Sequence, residues 1–262
     1  ERLQTPVIMM TDLDLGMNDH VTEPLQWDDA REFDRGKVYA TDALEKIERY
    51  GRYLDPDDDG IPYRTIPATH PTKGAFVTRG SSRDEYAVYT EDGDTYRRFV
   101  DRLIRKWNTA KELVPQPEFY SPQRHGDAEA TKGSPPYKGG VAAPAVQGAD
   151  GVVLSSCDAV IYFGTSTYAA EEALELLAEE DIHLDAMRVR AFPFGKAFVE
   201  FVNAHERVFV IEQNRDAQFK SLMMIELGID PHKLVSVLNY DGTPITADDI
   251  LNQIKGSLET KQ

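Results

Sequence analysis

From residue 158 onward, short apolar runs alternate with amphipathic stretches, and this rhythm constrains the fold more than any other feature of the chain. Asp158 to Gly164 (DAVIYFG) predicts a strand, and Ala170, Leu174 and Leu177 share one face of the helix that follows. Met187 to Phe192 (MRVRAF) alternates as a strand covered on one side, and Phe198, Phe201, Val202 and His205 then mark a helix. Arg207 to Gln213 (RVFVIEQ) reads as a strand leading into a helix from Ala217 to Leu227, and Lys233 to Asn239 (KLVSVLN) as the next strand. After the Asp241-Gly242 turn, Thr246 and Asp249 have the spacing of a reciprocal cap on a last helix carrying Ile250, Ile254 and Leu258. Strands separated by helices imply right-handed crossovers, so the fold class is α/β with a doubly wound parallel sheet.

A second apolar run stands apart. Val7 to Met10, in TPVIMMTDLDLGMND, is apolar on both faces and suits a strand covered on both sides of a parallel sheet. No series of strands follows to flank it, so its sheet is expected upstream. Between the two regions the chain is irregular. VYATDALEKIERYGRYL predicts one helix with Thr41 as N-cap, Leu44, Ile47 and Tyr50 on one face and Gly51 as stop. TYRRFVDRLIRKWNTAKEL predicts a longer helix, with Phe99, Leu103, Lys106 and Trp107 on one face and Pro115 beyond its end. Ser121 to Gly151 reads as a linker or exposed loop. The division expected is 1–22, 23–150 and 151–262.

Charge and cysteine content exclude several classes of function. A net charge of −16 over 262 residues argues against nucleic acid or an anionic membrane as partner, since both need a basic face. Cys157 is the only cysteine, which excludes an internal disulfide and a cluster held by thiolates of one copy of this chain. Its place beside a strand predicts a buried, inert thiol. No stretch approaches the ~20 apolar residues that cross a bilayer. Neither a signal peptide nor an initiator Met is present, and a chain that starts mid-protein or has been processed is expected; its location is expected to be cytoplasmic.

In a doubly wound sheet, chemistry gathers at the carboxyl ends of the strands. GTST (Gly164 to Thr167) lacks the Lys of a phosphate loop, and no G-x-G-x-x-G follows a strand. None of the histidines stands in a nucleophile or zinc motif. EQNRDAQ is the densest polar group at a strand end. Glu212 and Asn214 there either cap the next helix, with Arg215 paired to a carboxylate, or serve an interface. DPDDDG (Asp55 to Gly60) reproduces the start of a calcium loop, D-x-D-x-D-G, in which Asp55, Asp57 and Asp59 would converge on the cation. Ile66 stands where the bidentate Glu belongs, so the choice is between an acidic turn and a weak Ca²⁺ site.

Five segments in order carry a resemblance: PVIMMTDLDLGMND, DDDGIPYRTIPATHP, FVTRGSSRDEYAVYTED, DRLIRKWNTAKELVP and RVFVIEQNRDAQ. Together they resemble the C-terminal half of the alpha subunit of 2-oxoacid:ferredoxin oxidoreductases, nearest the 2-oxoglutarate type. The resemblance implies that Val7 to Met10 is the last strand of a pyrimidine-binding domain for thiamine diphosphate. It implies that 151–262 is similar to the C-terminal domain of transketolase, and that 121–151 is an insertion. It marks Asn18, Arg64 and Arg79, from its three leading segments, as interface candidates beside Glu212, Asn214 and Arg215. The implied reaction of the whole enzyme is CoA-dependent oxidative decarboxylation of a 2-oxoacid, with electrons passed to ferredoxin. Thiamine diphosphate, Mg²⁺ and the iron–sulfur cluster belong to the assembled complex, with the beta subunit and the rest of the alpha subunit as partners. The family's substrate- and cofactor-lining segments have no counterpart here, so the resemblance carries over no catalytic or cofactor-binding residue. A stand-alone, non-catalytic binding or assembly module is the other reading.

Overall fold

The computed structural model describes residues 1–17, 19, 21–120 and 156–259. The chain divides into two compact units, one of residues 1–8 and 28–114, the other of residues 9–27 and 115–262.

The second unit holds the sheet. Its strands are β1 (Glu118–Tyr120), β2 (Asp158–Phe163), β3 (Asp185–Val189), β4 (Arg207–Glu212) and β5 (Leu234–Leu238). They lie in the order β1-β3-β2-β4-β5. The last four strands are mutually parallel, as the alternation with helices requires, whereas β1 runs antiparallel to β3. Helices cover both faces of the sheet. On one face Val160, Tyr162, Phe209, Ile211 and Val237 pack with α4 (Ser166–Glu179) and α7 (Ala247–Glu259). On the other, Ile161, Met187, Val208 and Val210 pack with α5 (Lys196–Ala204) and α6 (Gln218–Leu227). Each fully buried side chain of this size contributes roughly 1.5–3 kcal/mol of apolar transfer free energy, so these two layers dominate the unit's stability.

Three details of this unit differ from the sequence reading. The strand expected from Met187 starts at Asp185 and is covered on both faces, with Ala186 in one core and Met187 in the other. The strand β1 is absent from the reading; it is only three residues long, and its Phe119 and Tyr120 simply point to opposite cores. Cys157 is exposed rather than buried, because it lies just ahead of β2 and outside both layers.

The first unit has little regular structure. Its helices are α2 (Thr41–Lys46) and α3 (Gly93–Leu113), and α1 (Leu13–Met17) belongs to the other unit. The helix expected between Thr41 and Gly51 forms only over Thr41–Lys46. Ile47 turns extended, and Lys73 Nζ donates to the carbonyls of Glu45 and Ile47 that such a helix would have used. Thr41 lies inside the helix, after Ala40 at the N-cap, and its hydroxyl donates to Thr69 O at 2.7 Å. On α3, Leu103 and Trp107 are 41% and 37% exposed, while Arg102 and Ala110 are the buried residues. The loop that ends at Gly60 lies against this face. Gly60 has φ +82°, and an added Cβ would stand 2.1 Å from Lys106 N, so only glycine admits the contact.

Val7 to Met10 is not a strand in this chain. Its four side chains are 81–88% exposed, because among the described residues no strand lies beside it to pair with its backbone. The linker or insertion expected at 121–151 lies outside the described residues.

Candidate functional site

The order β3-β2-β4 places a crossover to either side of β2, so a crevice opens between the carboxyl ends of β2 and β4. The loop Gly164-Thr165 leads from β2 directly into α4, and Thr167 donates its hydroxyl to Gly164 O at 2.6 Å. Gln213, the residue after β4, reaches across. Its Nε2 donates to Thr165 Oγ1 and Ser166 Oγ, both at 3.1 Å, and its Oε1 accepts from Ile245 N at 3.3 Å. Thr165 in turn donates to Asp12 Oδ2 at 2.5 Å. Asp12 Oδ1 accepts from Leu15 N at 3.0 Å and so starts α1. The crevice therefore anchors the DLDLGMND loop through one carboxylate, set by the open N-terminus of α4 where negative charge is favoured. This is positioning chemistry: the carboxylate, hydroxyls and amide are engaged with one another.

Beside it, Glu212 is 0% exposed, at the last position of β4. Its Oε2 accepts from Phe219 N at 2.7 Å and Asn214 Nδ2 at 2.8 Å, and its Oε1 from Lys220 N at 3.0 Å. Asn214 Oδ1 accepts from Gln218 N at 3.2 Å. These acceptors serve the unpaired amides that open α6, whose preceding Ala217 sits at φ +47°. Of the two alternatives for Glu212 and Asn214, the geometry is that of a helix cap. Arg215 is exposed and meets its neighbour Asp216 at 2.7 Å.

The remaining candidates are dispersed. Arg64 Nη2 donates to Arg35 O at 2.9 Å and to Glu1 Oε2 at 3.1 Å, which ties the chain start into the first unit. Arg79 is exposed, and Asn18 lies outside the described residues. Of the two readings of DPDDDG, the geometry is that of an acidic turn, and Asp55, Asp57 and Asp59 do not converge on a common point. Among the described residues no group of three His, Cys, Asp or Glu side chains is placed to hold a metal ion. Cations of the chain take up the carboxylates instead. Lys37 Nζ meets Asp57 at 2.6 Å and Asp59 at 2.8 Å, while Arg105 meets Asp55 at 3.4 Å and Asp58 at 2.9 Å. Burial works against the Lys37 charge, yet hydrogen bonds from its ammonium to Asp57 and Asp59 outweigh it and hold the group above the usual lysine range. The same contact holds Asp57 below the usual carboxylate range. Neither Lys37 nor Arg105 lies near the acidic run in sequence, so the spacing of the loop alone could not reveal them.

One buried polar pair was missed altogether. His205 Nδ1 lies 2.7 Å from Phe201 O and its Nε2 lies 3.1 Å from Asp185 Oδ2, with both side chains almost wholly buried. It sits where β3 begins and α5 ends, at the opposite end of the strands from the crevice, and joins them.

No protein-family model matches the chain. It is 26% identical over 263 residues to the alpha subunit of 2-oxoacid:ferredoxin oxidoreductase 2 of Aeropyrum pernix, an alignment covering 99% of this chain and 35% of that protein. It is 22% identical over 264 residues to the alpha subunit of a 2-oxoacid:ferredoxin oxidoreductase of Saccharolobus solfataricus, with the same coverage. The chain thus spans about a third of the length of these relatives. A solved 2-oxoglutarate:ferredoxin oxidoreductase of Magnetococcus marinus, with 2-oxoglutarate, coenzyme A and succinyl-CoA bound, superposes with a TM-score of 0.62 at 18% identity. That match covers 85% of this chain and 32% of the other, and it extends the likeness to the fold. The resemblance read from the five segments is borne out.

Proposed function

We propose that this chain, similar over nearly its whole length to alpha subunits of 2-oxoacid:ferredoxin oxidoreductases, is part of such a subunit. In the assembled enzyme the reaction is oxidative decarboxylation of a 2-oxoacid with coenzyme A, electrons passing to ferredoxin. The observation that carries this reading is the alignment over 99% of the chain with two such subunits. The five ordered segments favour 2-oxoglutarate as the 2-oxoacid. The M. marinus enzyme, which holds 2-oxoglutarate, has the same fold over most of this chain.

This segment's share is architectural. Residues 1–22 end the pyrimidine-binding domain, 23–150 form a connecting region that lends the edge strand β1 to the sheet, and 151–262 build the rest of the domain similar to the C-terminal domain of transketolase. The Asp12–Thr165–Gln213 network supports that assignment, because it fixes the loop leaving Val7 to Met10 against the sheet. Thiamine diphosphate and an iron–sulfur cluster supply the carbanion and electron chemistry of the complex. The one thiol, Cys157, cannot by itself hold an iron–sulfur cluster, which is therefore assigned to other chains of the complex. The partners are therefore the rest of the alpha subunit, the beta subunit and, through the complex, ferredoxin, in the cytoplasm. No helix among the described residues is long and apolar enough to cross a membrane.

The test is reconstitution. Added to the remainder of the alpha subunit and the beta subunit, the chain should restore CoA-dependent reduction of ferredoxin by 2-oxoglutarate. On its own it should show no turnover, and it should self-associate through the exposed run Val7 to Met10, more weakly once Ile8 is replaced by Lys. Restoration with another 2-oxoacid only would overturn the substrate, and a folded chain that assembles with neither subunit would favour the stand-alone module.

A further inference from the structure

The first unit contains a cleft of about 270 Å³ whose walls are rich in arginine. Arg98, Arg102 and Arg105 stand four and three residues apart along α3, on one helical face, and Arg83 joins them from a separate segment. Four carboxylates also line the cleft, and three are already engaged. Asp84 Oδ1 accepts from the amides of Tyr86 and Val88, each at 2.9 Å, Glu85 meets Arg98 at 3.4 Å, and Asp55 meets Arg105 at 3.4 Å. The fourth, Asp101, is exposed.

Arg83 and Arg102 bond only to neutral oxygens. Arg83 donates to Tyr53 Oη at 3.2 Å, Thr78 Oγ1 at 2.7 Å and Gly80 O at 3.0 Å. Arg102 donates to Gly60 O at 2.7 Å. Both guanidiniums lie over the rings of Tyr53 and Phe99, Arg102 at 4.9 Å from the Phe99 centroid and Arg83 at 5.5 Å from that of Tyr53. Arg102 is only 6% exposed, and its Nε is buried without a hydrogen-bond partner. A buried cation facing neutral partners is costly unless an anion joins it. Burial depresses its affinity for the proton, and the charge of nearby Asp55, which is bonded to Arg105 instead, only partly offsets this.

The same cleft leaves Asp55 Oδ1 buried and without a partner. An occupant is therefore favoured if it offers anionic acceptors to Arg83 and Arg102 and also a donor that can satisfy Asp55 as the side chains adjust around it. A plain dicarboxylate has the first and lacks the second. A phosphate monoester that carries hydroxyl groups has both, and its oxygens suit donors converging from several directions.

We propose that the cleft between α3 and residues 83–85 binds a small hydroxylated phosphate monoester. The inference concerns a region to which the proposed function assigns no ligand, and it stands whether or not that reading holds. Glycerol 3-phosphate is the probe, titrated calorimetrically into the full chain at low ionic strength, with succinate as the comparison. Saturable binding of glycerol 3-phosphate, at least tenfold tighter than succinate, is expected. Arg83→Gln should weaken it tenfold or more, and Arg97→Gln, an exposed arginine of α3 outside the cleft, should leave it unchanged. Arg83→Lys keeps the charge and guards against a folding defect; it too should weaken binding, because an ammonium cannot replace the planar fork of donors. Absence of saturable binding, equal affinity for succinate, or undiminished binding by folded Arg83 variants would each overturn the proposal.

Discussion

Gly60 shows how much a single residue can decide. Its positive φ already excludes a relaxed alanine, and an added Cβ would meet Lys106 N, Lys106 Cα and Arg102 O within 2.1–2.7 Å. Backbone cannot rotate away as a side chain can. Gly60→Ala should therefore cost about 3 kcal/mol, combining left-handed strain with overpacking. Urea unfolding checks it, and a shift in midpoint equivalent to less than 1 kcal/mol would show that the loop moves freely off α3. At this scale the sequence was only partly legible. The glycine was readable as a turn residue. Its role against α3, and the pairing of Asp57 and Asp59 with Lys37, depend on contacts between distant segments that local spacing does not encode.

The elements were most legible where period and caps agree. The start of α7 is an example. Thr246 N and Oγ1 donate to Asp249 Oδ2 at 3.1 and 2.6 Å, and Asp249 N donates to Thr246 Oγ1 at 3.2 Å, the reciprocal pattern expected from the spacing. Asp249→Ala should destabilise the sheet-bearing unit by about 1 kcal/mol, the usual worth of an exposed cap. A thermal melt of the variant against wild type reads the change. The strands β2 and β4 were likewise visible, because strands buried on both faces leave continuous apolar runs. The failures have a common cause in tertiary override. α2 stops at Lys46 because Lys73 claims its carbonyls, and β1 forms only because β3 offers an edge. The run at Val7 to Met10 has strand composition without a neighbour, and a strand needs its neighbour.

For the molecule as a whole, several groups with raised proton affinity limit stability at high pH, Tyr162 and Lys37 among them. Burial raises the Tyr162 phenol well above the ordinary value, and the nearby Glu171 carboxylate, to which it donates at 3.3 Å, adds to the effect. Lys37 is raised by its aspartate partners against the effect of burial. A raised folded value means that the native state holds its proton longer than the unfolded chain. The stabilisation is thus complete below the unfolded values of about 10 for Tyr and 10.4 for Lys, and is lost as pH rises through the higher folded ones. Denaturant midpoints of wild type should be level through neutral pH and fall above pH ~10. Tyr162→Phe should flatten part of that fall, and an identical alkaline slope in the variant would assign the loss elsewhere.

The buried carboxylate of Glu212 has a consequence for motion on the timescale of hours. The opening amides of a helix ordinarily exchange their hydrogens readily, since no carbonyl within the helix holds them. In α6 the amides of Phe219 and Lys220 donate to a side chain that is itself fixed at the last position of a central strand. Their deuterium uptake should then follow the slow openings of β4 rather than the fraying of α6. Native-state exchange resolved by residue would place these two amides with Val210 and Ile211 among the slowest to label. Rapid labelling there would mean that the start of α6 opens while the sheet stays closed.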